Sequence, residues 1–146
     1  MNRYIDSDLA WLAVDAVGHI AVFTTAGAAP IPSAVLDHPE LIKSAEELLT
    51  QLRPIGRSQL LVTLPRPDDF VGFACRGFFA YDWRDVHRTG SYTNCYEIIA
   101  RPEVARAVSD LACELQALAT MVRFDTLSFH DAVNIRVDQL VACESA

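Results

Sequence analysis

The residues best equipped for chemistry in this chain are its four histidines, four cysteines and nineteen acidic side chains, and their spacing decides whether any of them can work together. The densest grouping is Asp82-Trp83-Arg84-Asp85-Val86-His87, which offers an Asp and a His for proton transfer. A solvated loop at a strand end explains the same composition. His19, His38, His87 and His130 each stand alone in a different loop or cap, without the signature spacing of metal ligands. Cys75 precedes Arg76, and a neighbouring guanidinium favours a thiolate, but no recognisable His partner accompanies it, so a structural cysteine is the expectation. Cys75, Cys95, Cys113 and Cys143 contain no C-x-x-C pair and read as free thiols. No G-x-S-x-G, Walker-type loop or G-x-G-x-x-G occurs, and six glycines are too few to hide a phosphate cradle. The expectation is therefore no catalytic residue, no metal and no cofactor.

One further acid and imidazole lie four apart, Asp15 and His19, in the turn Asp15-Ala16-Val17-Gly18. An Asp carboxylate accepts a hydrogen bond from an amide two residues on, and Gly takes positive φ without steric cost. The pair is therefore read as a turn residue and an exposed strand-start residue. The aromatic run is more suggestive than the ionisable groups. With a strand period of two, Phe79, Tyr81 and Trp83 share one face and Phe78 the other. Core packing explains the aromatic run, with Phe79 foremost in the core; the alternative for Trp83, at the strand end between acids, is an interface anchor.

These residues have to be positioned by elements that the pattern predicts. Residues 9–27 form a β-hairpin whose strands carry apolar groups on both faces, as in a sheet covered at least in part on both sides or in a strand near the sheet centre. Pro30 and Pro32 make residues 28–32 a loop. A helix over about 39–53 follows, with Pro39 in its first turn and Leu41, Ile42, Ala45, Leu48, Leu49 and Leu52 along one face. Residues 59–64 read as a strand, 65–69 as a proline-forced turn, and 70–74 and 77–83 as two strands around a tight turn or bulge at Gly77. Residues 85–94 read as a loop and 95–100 as a strand. A second helix is predicted over about 103–121, because Val104, Val108, Leu111, Leu115, Leu118 and Val122 recur at spacings of four and three. That seam serves either core packing or a homodimer. Residues 128–131 give a short turn before a final strand containing Ile135, Val137 and Leu140. Strands clustered between two helices predict an α+β fold, a mostly antiparallel sheet in a single domain spanning 1–146.

Composition bounds the role. A chain of 146 residues, 51% hydrophobic and 21% charged, has the size and make-up of one globular domain. The N-terminus MNRYIDSDL lacks the basic and then apolar stretch of an export signal, and no apolar run reaches the roughly 18 residues of a membrane span. A cytoplasmic protein without membrane contact is the expectation. The net charge of −7 is uneven: residues 1–50 hold seven acidic and two basic side chains, residues 101–146 seven and four. Such a chain repels phosphate backbones, which disfavours nucleic acid, and attracts a basic protein.

The pattern W-L-A-V-D-A-V-G-H-I-A-V-F-T-T-A-G from Trp11, with R-G-F-F-A-Y-D at Arg76 to Asp82, resembles a group of short bacterial proteins. Some of these are similar to immunity proteins encoded beside polymorphic or type VI secreted toxins. The matching residues, Trp11, Asp15, Gly18, Arg76, Gly77, Tyr81 and Asp82, are of kinds that build hairpins and cores, so the resemblance implies a fold and brings no catalytic residue. It implies a protein that neutralises a cognate toxin by direct binding. For a basic toxin, Asp68, Asp69, Asp82 and Asp85 would supply the negative charge and Trp83 the apolar anchor. The competing expectation is a small-molecule-binding or enzymatic domain with a pocket between sheet and helices.

Overall fold

β1 (Ala10–Asp15) turns at residues 16–19 into β2 (Ile20–Thr24), paired antiparallel from Ala10↔Thr24 to Val14↔Ile20. Every residue of both strands is buried, which explains why neither shows the polar-apolar alternation of a half-exposed strand. This is a computed structural model, and it describes residues 10–25, 31–63, 67–84 and 95–136. The chain continues through α1 (Ser33–Leu36), α2 (Pro39–Thr50), β3 (Ser58–Leu60), α3 (Asp68–Cys75), β4 (Phe79–Arg84) and β5 (Cys95–Pro102). A 3₁₀ turn (Val108–Asp110), α4 (Cys113–Thr120), β6 (Arg123–Phe124) and β7 (Asn134–Arg136) complete the described elements. Most of the loop expected at 28–32, the whole loop at 85–94 and the continuation of the last strand past Arg136 lie outside the described residues.

The fold is α+β, but its sheet is mixed and not mostly antiparallel. The strand order is β3-β5-β4-β2-β1-β6, with β7 also paired to β5. β2 with β4 and β1 with β6 are parallel. The physical reason is the connection: the chain between β2 and β4 contains three helices, and such a crossover brings a strand back in the same direction.

Two predicted elements are corrected. Residues 70–74 are helical, within α3. Asp68 and Asp69 occupy its first turn, where negative charge meets the positive end of the helix. At its other end Gly77 sits at φ +98°, Gly77 N–H donates to Ala74 O and Phe78 N–H to Phe73 O, which is a Schellman cap. Arg76-Gly77-Phe78 thus ends a helix and does not turn a hairpin. A Cβ on Gly77 would lie 2.7 Å from Arg106 Cβ, so this position needs glycine for space as well as for φ.

The helix expected over about 103–121 is interrupted. β5 runs on to Pro102 to pair with β3, Glu103 N–H donates to Arg57 O, and Arg106 N–H donates to Gly77 O. Ala107, Leu111 and Ala112 have extended ψ angles of 155°, 151° and 158°, leaving only Cys113–Thr120 as α-helix. Long-range backbone bonds override a heptad pattern here. Val104 is 48% exposed, while Leu111, Leu115, Leu118 and Val122 are buried in the chain's own core, so these four serve core packing.

The sheet is covered on both faces, as the hairpin pattern predicted. One face carries Trp11, Phe23, Phe79, Tyr81, Trp83, Tyr96 and Phe129. Its centre is a cross-strand ladder: Trp11 stacks on Phe23 at 4.2 Å and Phe23 on Tyr81 at 5.0 Å. Such pairs add about 0.5–1.5 kcal/mol beyond the area they bury. The opposite face carries Ala10, Leu12, Ile20, Val22, Phe78, Ala80 and Ala100 against Ala45 and Leu49 of α2, Phe73 and Ala74 of α3, and Leu115, Leu118 and Ala119 of α4. Small strand residues on that side let the helices approach closely.

Candidate functional site

The buried polar groups of Asp15 and Tyr81 are taken up by the fold. Asp15 is 0% exposed, and its Oδ1 accepts from the amides of Val17, Gly18 and His19 at 3.0, 2.9 and 2.9 Å. Its Oδ2 accepts from Phe129 N–H at 2.8 Å, which ties the β1-β2 turn to the loop before β7. The turn role of Asp15 therefore holds and extends to a long-range contact. His19 departs from the exposed strand-start residue expected: it is half-buried, stacks on Phe79 at 5.6 Å, and its Nδ1 is buried with no hydrogen-bond partner among the described residues. The buried Tyr81 hydroxyl donates to Ala132 O and Phe129 O. Burial, and then the charge of Asp15, push its ionisation well above the usual tyrosine range.

The five expected partner-binding residues separate. Trp83 is 4% exposed and packs edge-on against Tyr96 at 5.1 Å, so it is a core residue and not a surface anchor. β4 lies between β2 and β5, and that central position buries both of its faces. Asp82 is 8% exposed, accepts from Thr24 Oγ1 at 2.7 Å, and stands directly across from Glu97 on β5. Asp85 lies outside the described residues, as does His87 of the same candidate cluster. Asp68 and Asp69 are exposed on α3, and neither has a hydrogen-bond or ion-pair partner among the described residues.

Those two aspartates border a cleft of about 150 Å³ between α2 and α3. Its other lining residues are Glu46, Leu49 and Thr50 from α2 and Gly72, Phe73 and Arg76 from α3 and its cap. Leu49 and Phe73, 0% and 7% exposed, join the core and make the floor apolar. Arg76 closes the cleft with a committed guanidinium: Nε donates to Leu52 O at 2.8 Å, Nη1 to Gly72 O at 3.0 Å and Nη2 to Thr50 O at 3.5 Å. It caps the carbonyl ends of both helices, which is the task of a cation at a helix C-terminus. Three acidic residues and one arginine thus line a cleft that also borders the core residues Leu49 and Phe73.

Comparison with protein-family models, with curated proteins and with solved structures gives no match.

Glu46, Phe73 and Arg76 were not expected at a site. The sequence pattern puts Phe73 in a strand and Arg76 beside Cys75, and it gives Glu46 no role. Only the α2-α3 packing brings them beside Asp68 and Asp69, and no sequence spacing announces it. Among the described residues no group of three or more His, Cys, Asp or Glu side chains could hold a metal ion. Cys75 is half-buried, Cys95 buried and Cys113 exposed, all as free thiols. His38 and His130 are exposed beside Glu40 and Asp131, at 3.7 and 3.4 Å. No helix among the described residues is long and apolar enough to cross a membrane.

Proposed function

We propose that the chain is a non-enzymatic binding protein that neutralises a cognate bacterial toxin by direct contact in the cytoplasm. The observation that carries this reading is the α2-α3 cleft, where Asp68 and Asp69 stand exposed and unpartnered beside an apolar floor. Asp15 is engaged by four amides, whereas Asp68 and Asp69 meet the positive end of α3 and have no side-chain partner among the described residues. A net charge of −7 adds long-range attraction toward a basic partner and repulsion from nucleic acid. The contact surface is this cleft, in place of the rim after Gly77 with Trp83 at its centre.

The test is co-expression in a bacterium with each toxin candidate encoded near the gene, followed by isolation of any complex. Restored growth and a stable complex are the expected results. Growth arrest despite normal expression of the chain would remove the reading.

A further inference from the structure

We propose that the free edge of β3 docks an extended, acidic segment of a protein partner, which joins the sheet as an added strand. The inference is independent of the neutralisation reading, which concerns the α2-α3 cleft. β3 ends the strand order, so one of its sides meets no other strand. Arg57 O accepts from Glu103 N–H and Leu61 N–H donates to Ile99 O, so by the alternation of an antiparallel ladder Arg57, Gln59 and Leu61 direct their backbone groups at β5. Ser58 and Leu60 point theirs outward, and neither finds a partner among the described residues. Open backbone groups along an edge are the template for strand addition. Native edges are commonly blocked by a charge or a proline within the strand, and Ser58-Gln59-Leu60 carries neither.

The side chains around this edge define the occupant. Four of the six large apolar residues exposed among the described ones, Ile55, Leu60, Leu61 and Val104, belong to β3 and its flanks. Val104 lies over Gly56, where an added Cβ would come within 2.9 Å of its Cγ2. Exposed apolar residues scattered singly are ordinary, but gathered beside arginines they mark a protein-binding surface. Charge is equally concentrated: residues 51–61, 72–79 and 98–107 hold five arginines and one acid, in a chain of net charge −7. Arg106 donates to the Arg76 and Arg53 carbonyls, and Arg101 stands opposite Gln59, which gathers the five at one edge. Arg76 and Arg106 are committed to main-chain carbonyls, whereas the Arg53 and Arg57 guanidinium groups are exposed and have no partner among the described residues. Open guanidinium forks select carboxylates. By strand period Arg57 and Arg101 share one face, and Leu60 shares the other with Ala100, so the matching segment alternates acidic and aliphatic residues. Nucleic acid fits less well, because no aromatic stands among the exposed apolar residues to stack a base and the net charge repels phosphates.

The test is a titration of the full chain with the blocked peptide acetyl-Glu-Val-Glu-Val-Glu-Val-amide, followed by amide chemical shifts and hydrogen exchange at low salt. The expected result is saturable shifts confined to residues 53–61 and 98–107, with exchange slowed at the Ser58 and Leu60 amides, because an added strand bonds to both. Arg53→Gln with Arg57→Gln, which leaves the backbone bonds of Arg57 in place, is expected to weaken binding about fivefold or more. Ser58→Pro deletes one outward N–H at an edge position that tolerates proline, and is expected to weaken it as well. The lysine counterpart, acetyl-Lys-Val-Lys-Val-Lys-Val-amide, should leave the spectrum unchanged, and Asp68→Asn with Asp69→Asn should not weaken binding, which separates this edge from the cleft. Absent or scattered shifts, an equal response to the lysine peptide, unaltered binding by the arginine variant, or shifts without slowed exchange at Ser58 and Leu60 would each overturn the proposal. Tighter binding of a short oligothymidylate would assign the surface to nucleic acid instead, and concentration-dependent shifts at β3 without peptide would assign it to a second copy of the chain.

Discussion

Asp15 and the pair Asp68 and Asp69 are the same side chain in opposite situations. Asp15 is fully buried at the head of the sheet, and both its oxygens accept amide hydrogens from two separate loops. Asp68 and Asp69 are exposed in the first turn of α3 and accept nothing among the described residues. The difference separates two uses of one side chain: a carboxylate saturated by the backbone organises the fold, and one exposed at a helix start, without a side-chain partner among the described residues, does not lock distant segments together.

The contrast breaks most visibly at Asp15. Asp15→Ala strands four amide donors, three in the β1-β2 turn and one at Phe129, and is expected to cost roughly 3–5 kcal/mol in urea unfolding. A cost below about 1 kcal/mol would mean that the turn does not depend on it. The next effect is at the glycines that end the two motifs. Gly18 and Gly77 share φ +98°, but a Cβ meets nothing within 4 Å at Gly18 and meets Arg106 and Ile55 at Gly77. Gly77→Ala is expected to cost about 2–3 kcal/mol and Gly18→Ala about 1 kcal/mol, read from the same unfolding curves. Equal costs would show that backbone conformation alone decides, without the Arg106 contact.

Alkaline pH sharpens the comparison on the sheet side. The folded state holds the Tyr81 proton above the ordinary tyrosine value of 10.0, because burial and then Asp15 disfavour the phenolate. Folding stability from this group is intact below pH 10 and declines as pH rises past it, since the unfolded chain releases the proton first. Tyr81→Phe should flatten that alkaline decline in pH-dependent unfolding, and an unchanged slope would assign it to other groups. The smallest effect is expected at the cleft: Asp68→Asn with Asp69→Asn removes only a favourable interaction with the helix end, about 1 kcal/mol or less in total.

Local chemistry made part of this legible. The Asp15 turn, the helix starting at Pro39 and the division of Phe79, Tyr81 and Trp83 from Phe78 all follow from short-range spacing and appear as expected. α3 does not, because a short apolar run suits a strand or a buried helix equally, and the deciding Schellman bonds are seen only in three dimensions. The interrupted helix after Pro102 fails for a related reason: Glu103 and Arg106 bond to Arg57 and Gly77, distant in sequence. Trp83 looked like a rim residue from its acidic neighbours, yet the strand order places it between β2 and β5. At the cleft, Asp68 and Asp69 could be named from the sequence, but Glu46, more than twenty residues away on another helix, could not.

The most direct test of the proposed binding role is the affinity of any toxin candidate encoded near the gene for the chain and for its Asp68→Asn, Asp69→Asn variant, measured with both folded. If the cleft carboxylates are kept open for a basic partner, the variant loses roughly tenfold or more in affinity while unfolding within about 1 kcal/mol of the parent. Unchanged affinity in a folded variant would contradict the account.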